Sequence, residues 1–103
     1  MTRIALGTSS GRKVVTSAGT PERLVDTETP CFKVEISGLE SNTDIVVVGA
    51  STVVAGTSLD GAGTRKGTPI SAGQTLTVEI DNPYKLFIDA VVSGEGVSFT
   101  YYY

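Results

Sequence analysis

The chain has 103 residues, 8 Lys and Arg against 11 Asp and Glu for a formal charge of −3, 1 Cys and no His. That length holds one domain around a single core, and the acidic balance lacks the electrostatic footprint of a nucleic-acid binder. With one cysteine and no histidine, neither an intrachain disulfide nor the usual zinc, copper and haem ligand sets can be assembled, which removes most enzyme classes.

The first segment carries Arg3, Arg12 and Lys13 before the first acid, Glu22. Its "ALGTSSGRK" run of small polar residues reads as a flexible basic arm over residues 1–18, ahead of a single β domain over 19–103. "GTSSG", Gly7 to Gly11, has the letters of a nucleophile elbow, but no histidine exists to take the serine proton. The start has neither a long apolar run nor a small-residue cleavage site, and no stretch of about 18 apolar residues follows, so a soluble protein made in the cytoplasm is expected, with no membrane partner. "KVVTS" and "ERLVD" are weak strand candidates.

Next, "CFKVEIS" alternates Phe32, Val34 and Ile36 with Lys33, Glu35 and Ser37, the period of a strand with one buried face. Cys31 reads as a small packing residue, since nothing nearby would activate its thiol. "DIVVVGA" is apolar on both faces, as a central strand covered on both sides would be, and "YKLFIDAVV" is nearly so. Between them, "GAGTRKG" fails the dinucleotide fingerprint, because the third glycine is one residue late and a strand follows in place of a helix; it also fails the Walker loop, because Arg65 and Lys66 precede the closing Gly67. "GTPISAGQTLTVEID" reads as a turn feeding a strand in which Leu76, Val78 and Ile80 alternate with Thr75, Thr77 and Glu79. The chain closes on "GVSFTYYY", with Val97, Phe99, Tyr101 and Tyr103 on one face and Ser98, Thr100 and Tyr102 on the other.

Turns fall at "SGLESNTD", "DNPY" and "SGEG", and the shortest of them suggest antiparallel hairpins. The expected fold is all-β: about seven or eight strands in a small antiparallel β-sandwich or jelly-roll-like domain with a flexible N-terminal arm. Asp44, Asp60, Glu79, Asp81, Asp89 and Glu95 lack the dense spacing of a calcium loop and read as a solvated surface. No cofactor or metal is expected.

Four segments in order, "TPCFKVEIS", "IVVVGASTVVAGTSLDG", "GTPISAGQTLTVEIDNPYKLFIDA" and "GEGVSFTYYY", resemble small structural proteins of tailed bacteriophages, of the capsid decoration (cement) or head-fibre type. The resemblance spans roughly the chain from Gly19 onward and leaves the basic arm outside. It implies a non-enzymatic virion protein, commonly a homotrimer, seated on the outer capsid surface and bound to the major capsid protein of the shell. On that reading Arg3, Arg12 and Lys13 are expected to bind the capsid and Phe99, Tyr101, Tyr102 and Tyr103 to form the oligomer interface, burial of this aromatic end against the domain's own core being the alternative. The alternative is a head-fibre, tail-adhesion or carbohydrate-binding β-sandwich, with Tyr84, Tyr101, Tyr102 or Tyr103 as stacking faces.

Overall fold

A computed structural model of the chain describes residues 4–56 and 61–103. Its strands are β1 (Thr8–Val14), β2 (Glu22–Arg23), β3 (Lys33–Gly38), β4 (Val46–Gly49), β5 (Thr68–Ile70), β6 (Thr75–Val78), β7 (Phe87–Ala90) and β8 (Gly96–Tyr102). A single helical turn, α1 (Gly61–Thr64), lies between β4 and β5, and a 3-10 turn, Pro83–Lys85, precedes β7. The strands make two four-stranded sheets, a first in the order β1-β8-β3-β6 and a second in the order β2-β7-β4-β5.

The pairings β1 with β8, β2 with β7, β3 with β6 and β4 with β5 are all antiparallel and nested one inside the next. A long antiparallel hairpin rolled over itself produces this order, and it is that of a jelly roll. The short hairpins expected from the turn residues are therefore not formed. "SGLESNTD" carries the chain from the first sheet to the second, "DNPY" does the same, and "SGEG" brings it back. Turn chemistry specifies where a chain reverses; it does not specify which sheet receives the next strand. Only β4 and β5, at the tip of the roll, are sequential neighbours in one sheet.

The core lies between the sheets. Val34 and Ile36 of β3, Val97 and Phe99 of β8, Val46 and Val48 of β4, Ile88 and Ala90 of β7 and Ile70 of β5 form one buried cluster. Each such aliphatic side chain, fully buried, contributes about 1.5–3 kcal/mol, so the alternating positions of the sequence carry most of the fold's stabilisation. Cys31 packs against this cluster and its thiol donates to the Ile80 carbonyl at 3.2 Å. Within the stretch Gly67 to Asp81, Ser71 to Gln74 is the turn that takes the chain from β5 to β6 and so from one sheet to the other: Gln74 N–H donates to Ser71 C=O, the Gln74 side chain accepts from Ser71 N–H, and Gly73 takes φ +75°, a conformation that favours glycine.

β4 is covered on both sides, as its run of valines requires. Val47, on the face away from the main core, packs with Val53 and Ala55 in a second cluster that Ile45, Phe87 and Val91 border. On this same face lies Asp89, which is fully buried. Its Oδ1 accepts from Gly19 and Ala90 N–H at 2.9 Å each, and its Oδ2 accepts from Ala55 N–H at 2.9 Å. Glu95 is buried too and accepts from Thr43 N–H at 2.6 Å, Thr43 hydroxyl at 2.7 Å and Asp44 N–H at 3.1 Å. Neither belongs to the solvated surface on which the sequence placed it. A carboxylate that satisfies several loop N–H groups is stable inside, and spacing along the chain cannot reveal those donors.

The residues expected as a flexible arm are folded from Thr8 onward. β1 pairs with β8 over its whole length, from Thr8 opposite Tyr102 to Val14 opposite Gly96. Its small residues are what the pairing requires: at Gly11 a Cβ would come within 2.6 Å of the Phe99 ring. The same composition that suggested disorder is the signature of a strand laid tightly over an aromatic core residue.

Candidate functional site

The two sheets differ in what covers them. The outer face of the second is capped by Val53 and Ala55. The first sheet presents its outer face to solvent, and the strand registers determine what stands there. Residues opposite one another share a face, so one row runs Thr8, Tyr102, Lys33; the next Ser10, Thr100, Glu35, Thr77; and the next Arg12, Ser98, Ser37, Thr75.

Short hydroxyl side chains dominate this surface, and several lock together across strands. Ser10 and Thr100 hydroxyls share a hydrogen bond of 3.0 Å, and Ser37 and Thr75 share one of 2.7 Å. Tyr102 donates its phenol to Glu35 Oε1, and Lys33 Nζ sits 4.4 Å from the centre of the Tyr102 ring. The bond to the Glu35 carboxylate, followed by partial burial and the Glu35 charge, raises the Tyr102 pKa above its ordinary 10.0. A shallow groove of about 400 Å³ runs across the face, lined by Ser10, Glu35, Ser37, Thr75, Ser98 and Thr100 among others. Hydroxyls and one carboxylate, held by a rigid sheet, offer both donors and acceptors to a polar partner surface or to a polyol.

The expected site residues fall in different places. Arg3 lies outside the described residues. Arg12 is exposed on the outer face of the first sheet. Lys13 is turned to the opposite face, where its Nζ pairs with Glu22 Oε1 at 3.1 Å. Glu22 also accepts from Thr16 and Ser17 N–H; these bonds and the Lys13 charge outweigh its loss of water and leave its carboxyl below its ordinary 4.5. Lys13 therefore fastens the β1–β2 connection.

Of the four residues expected at an oligomer interface, Phe99 belongs to the core at 7% exposure, so its ring is not available to a partner. Tyr101 packs partly buried against the same core, Tyr102 stands on the outer face, and Tyr103 is 44% exposed with its ring 6.3 Å from that of Tyr101. Tyr84, a candidate stacking face, already carries the Arg23 guanidinium 3.9 Å from its ring centre. The same guanidinium lies 4.7 Å from the Phe87 ring centre and donates to the Tyr84 carbonyl at 2.6 Å.

Sequence reasoning did not single out Ser10, Glu35, Ser37, Thr75, Thr77, Ser98 and Thr100. The signal was present: every polar slot of "KVEIS", "QTLTV" and "GVSFT" that faces out is a hydroxyl, glutamate or lysine. That these slots share one face follows only from the pairing order. Among the described residues no three His, Cys, Asp or Glu side chains gather to hold a metal ion, and no helix is long and apolar enough to cross a membrane. No protein-family model matches the chain, and no curated protein or solved structure is significantly similar to it.

Proposed function

We propose that the chain is a non-enzymatic structural protein of a tailed-phage virion, a decoration protein that seats on the outer capsid surface and binds the major capsid protein through the open face of its first sheet. The observation that carries this reading is the division of polar groups. Asp89, Glu95, Glu22 and Asn82 are occupied in holding loops, while the open sheet presents a broad, stiff, hydroxyl-rich surface with Arg12 at its edge. Such a surface suits many modest contacts. A protein that binds only the mature lattice stabilises it by mass action, and repetition over the shell multiplies a small contact. The four resembling segments support the same reading, and the jelly roll agrees with it by fold analogy alone, since capsid and lectin domains share that architecture.

The test is the mass of the purified protein by light scattering, then co-sedimentation with empty phage shells, expanded and unexpanded. A trimer that pellets with expanded shells only is the expected result; a protein left in the supernatant with both contradicts it. Deleting residues 1–13 is not a clean probe, because it removes an edge strand. Ser98→Arg, on the open face and away from the sheet edges, is the better variant, with weakened pelleting and unchanged melting expected.

The groove across the open face favours a second reading, a glycan-binding module of a fibre or adhesin. Saturable binding on a glycan array, abolished by Glu35→Gln, would move the weight there.

A further inference from the structure

The two sheets finish their edges differently. The second ends in β2, only two residues long, and in β5, which has Pro69 at its centre. Both devices deny an incoming strand its ladder of hydrogen bonds. The first sheet ends in β1, seven residues without proline, and in β6, also without proline.

Among the described residues no strand pairs with the outer side of either of these edges. Gly7 and Tyr103 exchange both backbone hydrogen bonds. Along β1 the odd-numbered residues therefore bond β8, and the N–H and C=O groups of Thr8, Ser10, Arg12 and Val14 point away from the sheet. Gly38 N–H donates to the Gln74 carbonyl, so on β6 the even-numbered residues bond β3, and Thr75 and Thr77 direct theirs outward.

Charge and apolar surface distinguish the two edges. The β1 edge is basic: Arg12 and Lys13 stand in a stretch with no acid before Glu22. Beside β6 come Glu79 and Asp81, with no base before Lys85. Lys13 is paired with Glu22 and Asp81 with Lys85, and among the described residues Arg12 and Glu79 have no ion-pair partner. Ile4 and Leu6, which lead into β1, are 85% and 90% exposed.

We infer that a second copy of this chain docks its β6 edge antiparallel on the β1 edge, with Arg12 beside the partner's Glu79, and that repetition of this contact continues the first sheet from copy to copy into a closed ring. The contact joins two different surfaces, so identical subunits assemble by it into a ring where the rotation closes and into a filament where it does not, rather than into isologous pairs; the ring is the closed case that the trimer reading requires. Opposite charges set the direction and register, since β1 against β1 would bring basic strand against basic strand. The inference deepens the oligomer part of the reading above and replaces the Phe99 and tyrosine contact with a strand edge; the shell is not needed for it.

Light scattering on the full chain and its variants tests this. The wild type is expected at a multiple of 10.7 kDa, Arg12→Glu and Glu79→Arg each at the monomer mass, and the double variant Arg12→Glu with Glu79→Arg back at the oligomer mass. Thr77→Pro removes an N–H that no strand among the described residues uses and should give a monomer whose β-sheet circular dichroism is unchanged. A wild type that is monomeric at shell-binding concentrations overturns the pairing. So does an oligomer that survives these substitutions, or one that Arg12→Glu dissolves while Glu79→Arg leaves it intact, the pattern of β1 self-pairing. A monomer that still pellets with shells sinks the ring and leaves the decoration reading standing; an oligomer that obeys the charge exchange and ignores shells does the reverse.

Discussion

The second sheet is covered on both faces over β4 and β7 and blunted at both edges, whereas the first is covered on one face and open at the rest. In the second, even a carboxylate is inside: Asp89 joins the Gly19 and Ala55 loops beneath the small cluster around Val47. In the first, most outward slots are hydroxyls, and two pairs of them bond across strands. Burial on both faces makes a scaffold that tolerates little change; burial on one face frees the other to vary with function. The contrast leaves the first sheet as the face open to a partner, which is the surface the proposed function uses, and each element of that contrast has a measurable consequence.

The largest effect is expected at Asp89. Asp89→Ala leaves three N–H donors without their acceptor inside the protein and should cost about 3 kcal/mol or more in denaturant titration. Asp89→Asn, which keeps one acceptor oxygen, should cost less. A loss under about 1 kcal/mol for the alanine variant, no larger than an ordinary hydrogen bond contributes, would remove the idea that the covered face is held from within.

A matched exchange sharpens the comparison. Val47→Thr puts a hydroxyl into the covered face and should destabilise by about 1–3 kcal/mol. Thr77→Val makes the reverse change on the open face and should stay within about 0.5 kcal/mol. Equal costs at the two sites would mean that the sheets are not differently covered.

The smallest effects are in pH dependence. Glu95 and Glu22 sit below their ordinary value of 4.5 in the folded chain. For Glu95, loss of water would raise the pKa, and the Thr43 N–H, the Thr43 hydroxyl and the Asp44 N–H outweigh it. Their contribution is present above pH 4.5 and is lost as pH falls through the lowered values, so Glu95→Gln should flatten the acid limb of the stability curve. Tyr102 has the opposite sign. Its pKa is raised above 10.0, so its contribution holds below pH 10 and is lost as pH rises through the raised value; Tyr102→Phe should make the alkaline fall shallower. An alkaline limb that the phenylalanine variant leaves unchanged would show that the bond to Glu35 has no weight in solution.

Alternation told most of the fold. The period-two patterns of "CFKVEIS" and "QTLTVEI" identified the buried faces of β3 and β6, and the unbroken valines of "DIVVVGA" identified a strand covered on both sides. What alternation does not encode is pairing. The nesting of β1 with β8 and β2 with β7 rests on contacts most of the chain apart, and local turn residues suggested hairpins in their place. β1 was hidden for a related reason: Gly11 and its serine neighbours have low strand propensity, and only the Phe99 ring beneath explains why a residue without a side chain belongs there. The candidate site suffered most. Ser10, Ser37, Thr75 and Ser98 are unremarkable singly and become a surface only when four strands are set side by side.

The most direct test of the first sheet as the working surface is co-sedimentation of Ser98→Arg beside the wild type with expanded phage shells, with the melting of both proteins recorded. Ser98 stands exposed on the open face, between Arg12 and Ser37. Unchanged melting and at least about tenfold weaker binding, a loss of about 1.4 kcal/mol, are expected of the variant. Equal occupancy by the variant, or a wild type that never pellets, would contradict that role of the first sheet.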